Sequence, residues 1–123
     1  MVLAIVGSAE RFWTPDKETE ARHYIRSFII AKEPDLVISG ECPKGGVDIW
    51  AREIATELGY PFMGLEPEKE RWQPNGYKER NLKIAKLCSI LLRVVSKTST
   101  TYGSGWTKDR AEELGKTVYE TVI

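Results

Sequence analysis

A chain of 123 residues and 14.0 kDa, with 41% hydrophobic and 29% charged side chains, has the size and balance of an ordinary globular domain, which excludes a disordered polypeptide. Eighteen basic and eighteen acidic residues cancel, so no global field draws the protein to a polyanion. The longest apolar run, 89–95 and interrupted by Arg93, falls far short of the roughly 20 residues of a bilayer span, so no membrane partner is expected.

Along the chain, apolar spacing switches repeatedly between short runs and three-and-four stripes, as strands alternating with helices do. Met1 leads straight into a strand over 2–6 with no basic head, which predicts no secretory leader and a cytoplasmic location. After a polar turn through Gly7 and Ser8, Thr14 and Pro15 open a helix whose inner face is Ala21, Tyr24, Ile25, Phe28 and Ile29. Residues 36–39 form a second strand, and beyond a glycine turn Val47, Trp50, Ala51, Ile54, Ala55 and Leu58 recur at helical spacing until Gly59. A short strand over 62–65 leads into the long polar connection 66–76, and 77–87 reads as a helix. The most apolar strand, 89–95, is placed centrally. A Ser/Thr-rich stretch then precedes a helix over about 106–114, closed by Gly115, and an edge strand over 117–122.

This alternation predicts an α/β class for the whole of 1–123: one Rossmann-like three-layer sandwich. Its five-stranded, mostly parallel sheet should run in the order 3-2-1-4-5 with helices on both faces. A ligand then belongs beyond the carboxyl ends of the strands, between strands one and four, where the winding reverses. The loops 7–13 and 96–105 line that point, with 39–46 alongside.

All three loops place glycine beside a hydroxyl or at a helix start: Gly7-Ser8, Ser39-Gly40 with Gly45 and Gly46, and Gly103-Ser104-Gly105. Such turns let backbone amides approach an anion, and a helix dipole favours it. Arg11 and Lys44 could add phosphate contacts by charge, although solvated surface charge is the commoner role of such residues. "GECPKGG" is neither GxGxxG nor a P-loop, so a small phosphorylated ligand fits better than a dinucleotide. In "YKERNLKIAK", Arg80 and Asn81 fall on the apolar stripe, where a cation needs a partner: Asp48, a ligand phosphate, or both. Asp48, at the third position of its helix, suits the dipole, a ribose hydroxyl or Arg80. Trp13, Trp72 and Trp106 lie in or beside loops and could stack on a base, although packing is the commoner role of such rings. Cys42, Cys88 and the lone His23 match no zinc or redox spacing, so no metal and no cofactor are expected. Cys88 reads as a small buried hydrophobe, and Arg93 has no evident role.

The segments "IVGS", "VISGECPKGGVDIWA", "YKERNLKIAKLCSILLRV" and "YGSGWTKDRAEELGKTV", in that order, resemble the SLOG superfamily, which includes the Lonely Guy phosphoribohydrolases and the DprA-like proteins. Its small stand-alone members are the most similar. The resemblance implies a nucleotide or nucleotide-derived ligand across the strand ends. Ser39, Gly40, Gly46 and Asp48 would supply the first signature, Arg80 and Asn81 the second, Gly103 and Ser104 the third. Lonely Guy enzymes carry PGGxGTxxE, whose glutamate works with an arginine in N-glycosidic cleavage; here Thr107 takes the glutamate's place. A nucleoside 5'-monophosphate hydrolase would therefore recruit Glu41, Asp48 or Glu10 beside Arg80. A DprA-like nucleic-acid or protein-interaction module is the third reading, which the balanced charge disfavours. Family analogy points to a homodimer.

Overall fold

The computed structural model describes residues 1–123. Strand β1 (Val2–Gly7) leads through a 3-10 turn (Glu10–Phe12) to helix α1 (Pro15–Lys32), β2 (Leu36–Gly40) and α2 (Val47–Glu57). Then follow β3 (Phe62–Leu65), α3 (Tyr77–Leu87), β4 (Ile90–Val95), α4 (Gly103–Glu113) and β5 (Thr117–Val122). The sheet order is β3-β2-β1-β4-β5 and every pairing is parallel, with Val2 opposite Leu36 and Leu3 opposite Ile90. The expected order is therefore realised, with β1 at the centre and β4 beside it.

Strand periodicity explains the two layers. Leu3 and Ile5 face one way, packing with Ala21, Ile25 and Ile29 of α1 and with Trp50 and Ile54 of α2. Ala4 and Val6 face the other way, against Ile84 and Ala85 of α3 and Ala111 of α4. With both faces covered, β1 and β4 are near-continuous apolar runs, whereas β5 at the edge keeps exposed positions. No helix is long and apolar enough to cross a membrane.

Local chemistry sets the helix ends. The Thr14 hydroxyl accepts the Lys17 N–H at 3.3 Å and Pro15 fills the first helical position of α1. At the start of α3 the Glu79 carboxylate accepts the Gly76 N–H at 2.9 Å. Helix α4 begins at Gly103, three residues before the expected Trp106. Glycine and serine are poor helix formers in isolation. Here the Trp106 N–H reaches the Tyr102 carbonyl at 2.8 Å and the Thr107 hydroxyl reaches the Gly103 carbonyl at 3.0 Å, which closes the turn despite its composition.

Candidate functional site

At the tip of β1 two backbones nearly touch. A β-carbon on Gly7 would strike the Val94 carbonyl and lie 2.7 Å from Val47 Cγ2, so only glycine closes this strand. The chain leaves β1 toward β2 and β4 toward β5, and a crevice opens between the two connections. It is a cleft of about 220 Å³. Gly7, Arg11, Cys42 and Lys44 line it from the end of β1 and the connections after β1 and β2, Asp48 from the first turn of α2, and Tyr77, Arg80 and Asn81 from α3. Thr101, Gly103, Ser104 and Thr107 come from the approach to α4 and its first turns, and Trp72 from the 66–76 connection.

Arg80 and Asn81 form a buried relay across this space. The Arg80 Nε donates to Asn81 Oδ1 at 2.7 Å and Nη1 to the Leu65 carbonyl at 3.1 Å, while Asn81 Nδ2 donates to the Gly103 carbonyl at 3.4 Å. The end of β3 is thereby tied to the start of α4. Asp48 is 8% exposed and Arg80 9%, and the two lie against Gly40, where a β-carbon would collide with the guanidinium and come within 2.8 Å of Asp48 Oδ2. No direct ion pair joins them. Burial accordingly pushes the Asp48 carboxyl up from 3.8 to about 7, although the Arg80 charge and the Cys42 backbone N–H pull the other way. Ser39 also stands beside this carboxyl, but its single proton goes to the Ile5 carbonyl.

The first turn of α4 has the opposite character. The N–H groups of Gly103, Ser104 and Gly105 have no partner within the chain, as expected of a helix start. Arg93, which the sequence left without a role, donates from Nε to Ser104 Oγ at 2.9 Å and from Nη1 to Glu120 at 2.6 Å. Because Ser104 Oγ accepts from Arg93, its own proton is free to be donated.

The structure brings Gly7, Arg11, Asp48, Arg80, Asn81, Gly103 and Ser104 together on the cleft. It places the remaining expected residues in the scaffold. Ser8 accepts the Ser96 N–H at 3.0 Å, Ser39 bonds Ile5, and Gly40 seats Arg80. Gly45 packs on Glu10, Gly46 on the Ser8–Glu10 backbone, and Gly105 under the Tyr102 ring. Glu41 turns away to Arg52 at 3.6 Å and to Glu66, whose carboxyl it pushes up by hydrogen bond and charge. Among the cleft residues that sequence reasoning passed over, Tyr77 reads as core and Thr101 carries no signal. Of the three loop rings that the sequence offered for stacking on a base, Trp72 lines the cleft. Cys42 is held up in pKa by burial, as a thiol and not a thiolate.

No protein-family model matches the sequence, and neither does any curated protein. Solved structures do. TM1055, a structural genomics target, shares 20% identity over 95% of this chain and 71% of its own, with a TM-score of 0.70. The molybdenum cofactor carrier protein of Chlamydomonas reinhardtii shares 17% over 97% of this chain and 74% of its own, also at 0.70. The DNA processing protein DprA of Streptococcus pneumoniae shares 20% over 96% of this chain, again at 0.70, and the chain spans 49% of its length.

The chain shares the Rossmann-like fold of these three proteins. Thr107, where the resemblance to Lonely Guy enzymes would put their glutamate, is 1% exposed, with its hydroxyl committed to the Gly103 carbonyl. Asp48 is the one carboxylate on the cleft.

Proposed function

We propose that the protein binds a nucleotide or nucleotide-derived phosphorylated small molecule at the carboxyl ends of its strands, without a need for turnover. The observation that carries this reading is the open first turn of α4: three N–H groups without partners, a serine proton free to donate, and a cleft beside them bearing Arg11 and Lys44. Unpaired N–H groups at a helix start, aligned with its dipole, favour a phosphate dianion. The buried Arg80 adds a cation whose geometry is fixed before any ligand arrives, which lowers the ordering cost of binding. A volume of about 220 Å³ lies below the range for drug-sized ligands, which suits a mononucleotide or smaller. One neighbour of the same fold is a cofactor carrier by name, so holding a ligand is a role this architecture serves in that protein.

An N-glycosidic hydrolase would have to draw its acid from Asp48, and no observation favours that reading or a nucleic-acid module over binding. The test is a thermal-shift panel of nucleoside monophosphates, cyclic nucleotides and ADP-ribose at low salt. A ligand bound only by the folded form at about a hundred times its Kd adds about 2.7 kcal/mol of stability, a rise of several degrees in a chain this size. A panel in which no member moves the melting point, at millimolar concentration, would remove the reading. Release of free base from a monophosphate would replace it with the hydrolase.

A further inference from the structure

We propose that the open face of Trp72 is the cleft's stacking platform, so that the ligand is a planar heteroaromatic ring joined to an anionic group and not a bare sugar phosphate. This rests on the reading of the cleft as an anion-binding site.

The four tryptophans separate cleanly by what covers them. Trp50 is 3% exposed in the core, and Trp13 lies edge-on to it at 5.5 Å with its indole N–H on the Ser8 carbonyl. Trp106 carries the Arg110 guanidinium over its ring at 4.9 Å and meets Trp72 at 5.3 Å. Trp72 has only that last contact among the aromatic and cation–ring pairs, at an interplanar angle of 90°. A perpendicular pair covers at most one face of either ring, so Trp106 leaves a face of Trp72 uncovered. Trp72 is 39% exposed and lines the cleft.

Its neighbours in sequence give the ring no core to fill. They are Glu70, Arg71, Gln73 and Pro74, all exposed. The backbone is nonetheless tied down on both sides. The Lys78 N–H bonds the Trp72 carbonyl at 2.9 Å, the Tyr77 N–H bonds Arg71 at 2.8 Å, and Arg71 Nε bonds Pro74 at 2.7 Å. Gly76 lets this turn close, since a β-carbon there would collide with the Arg71 carbonyl. A large ring on a fixed backbone, with part of it facing water, is placed for a contact that the chain alone does not supply.

Position relative to the anion site completes the argument. Trp106 stands three residues beyond Gly103, about 4.5 Å along the axis of α4. The ring pair therefore flanks the same helix turn that offers its free N–H groups. A phosphate on that turn would leave an attached ring inside the same cleft that Trp72 lines.

Calorimetric titration at low salt of wild type, Trp72→Ala and Trp72→Phe with the four ribonucleoside 5'-monophosphates and ribose 5-phosphate tests this. At least one monophosphate should bind wild type more tightly than ribose 5-phosphate does. Trp72→Ala should weaken that monophosphate about tenfold, Trp72→Phe should restore most of the loss, and ribose 5-phosphate should change less than about twofold in both variants. The monophosphate should also quench a component of the tryptophan emission that Trp72→Phe lacks. Equal weakening of both ligand types in Trp72→Ala makes Trp72 a structural wall and overturns the inference. So does an unchanged affinity, or a sugar phosphate that binds as well as any nucleotide; those two results leave the anion site standing. If no probe binds wild type, the anion site fails and the platform with it.

Discussion

Two glycine-bearing segments of this molecule look alike in sequence and differ in what they do. "GECPKGG" opens α2 and "YGSG" opens α4, each bringing small residues to the carboxyl end of the sheet. The first is knitted into the fold: the Val47 N–H goes to the Ser8 carbonyl at 3.2 Å, the Glu10 N–H to Lys44 at 3.3 Å and the Gly45 N–H to Cys42 at 3.0 Å. The second keeps its leading N–H groups open. Glycine content alone therefore does not mark an anion site; what matters is whether the donors it exposes are already engaged.

The largest effect should come from testing the closed turn at its hinge. Gly46 has φ +87, and a β-carbon there would collide with the Ser8 carbonyl and lie 2.7 Å from the Glu10 nitrogen. Gly46→Ala therefore combines a backbone conformation open almost only to glycine with a clash against main chain, and should cost about 4 kcal/mol or more. Gly103→Ala should change stability by no more than about 0.5 kcal/mol, since its nearest obstruction is Asn81 Nδ2 at 3.9 Å and its backbone is already helical. Urea denaturation of both variants measures the contrast. Similar losses in the two would erase the distinction between a closed and an open turn.

Much of this was legible in the sequence, for reasons that also explain the rest. The sheet order follows from alternating buried strands and helices, because period-2 and period-3.6 patterns leave few topologies. Arg80 and Asn81 were found because polar groups on an apolar stripe demand partners. Which glycine turn stays open was hidden, because it depends on contacts such as Ser8 with Val47 that lie 39 positions apart and leave no local mark. Arg93 was opaque for the same reason: its acceptors, Ser104 and Glu120, come from α4 and β5. The early start of α4 escaped because tertiary bonds overrode the weak helix propensity of glycine.

A smaller, pH-dependent effect sharpens the comparison, because Asp48 belongs to the closed turn yet faces the cleft. Its folded pKa of about 7 lies above the ordinary 3.8, so between about pH 4 and pH 7 the folded chain holds a proton that the unfolded chain has released. Stability therefore falls as pH rises through that window and levels off above it. Asp48→Asn abolishes the titration. The two stability curves should meet near pH 4, and by pH 8 the variant should be the more stable by about 4 kcal/mol. Denaturation midpoints at four or five pH values test the sign; a variant less stable than wild type at pH 8 would mean that the ionised carboxylate is held by Arg80 more firmly than burial opposes it.

The smallest change to the fold should be the most telling for the cleft. Ser8 and Ser104 each use the hydroxyl oxygen to accept an N–H, from Ser96 at 3.0 Å and from Arg93 at 2.9 Å. Ser8 is 2% exposed and its acceptor closes a buried backbone donor, so Ser8→Ala should cost about 1–3 kcal/mol. In Ser104→Ala the Arg93 guanidinium keeps Glu120 at 2.6 Å, which limits the loss to under about 1 kcal/mol. The order should reverse for affinity. Ser104→Ala removes a donor aimed at a charged ligand and should weaken a bound monophosphate about tenfold, whereas Ser8→Ala should leave affinity within about twofold once both are measured where they are folded. Calorimetry beside urea melts reads both quantities on the same samples. If Ser104→Ala proved the more destabilising and left affinity unmoved, the start of α4 would belong with that of α2 as a seam in the scaffold.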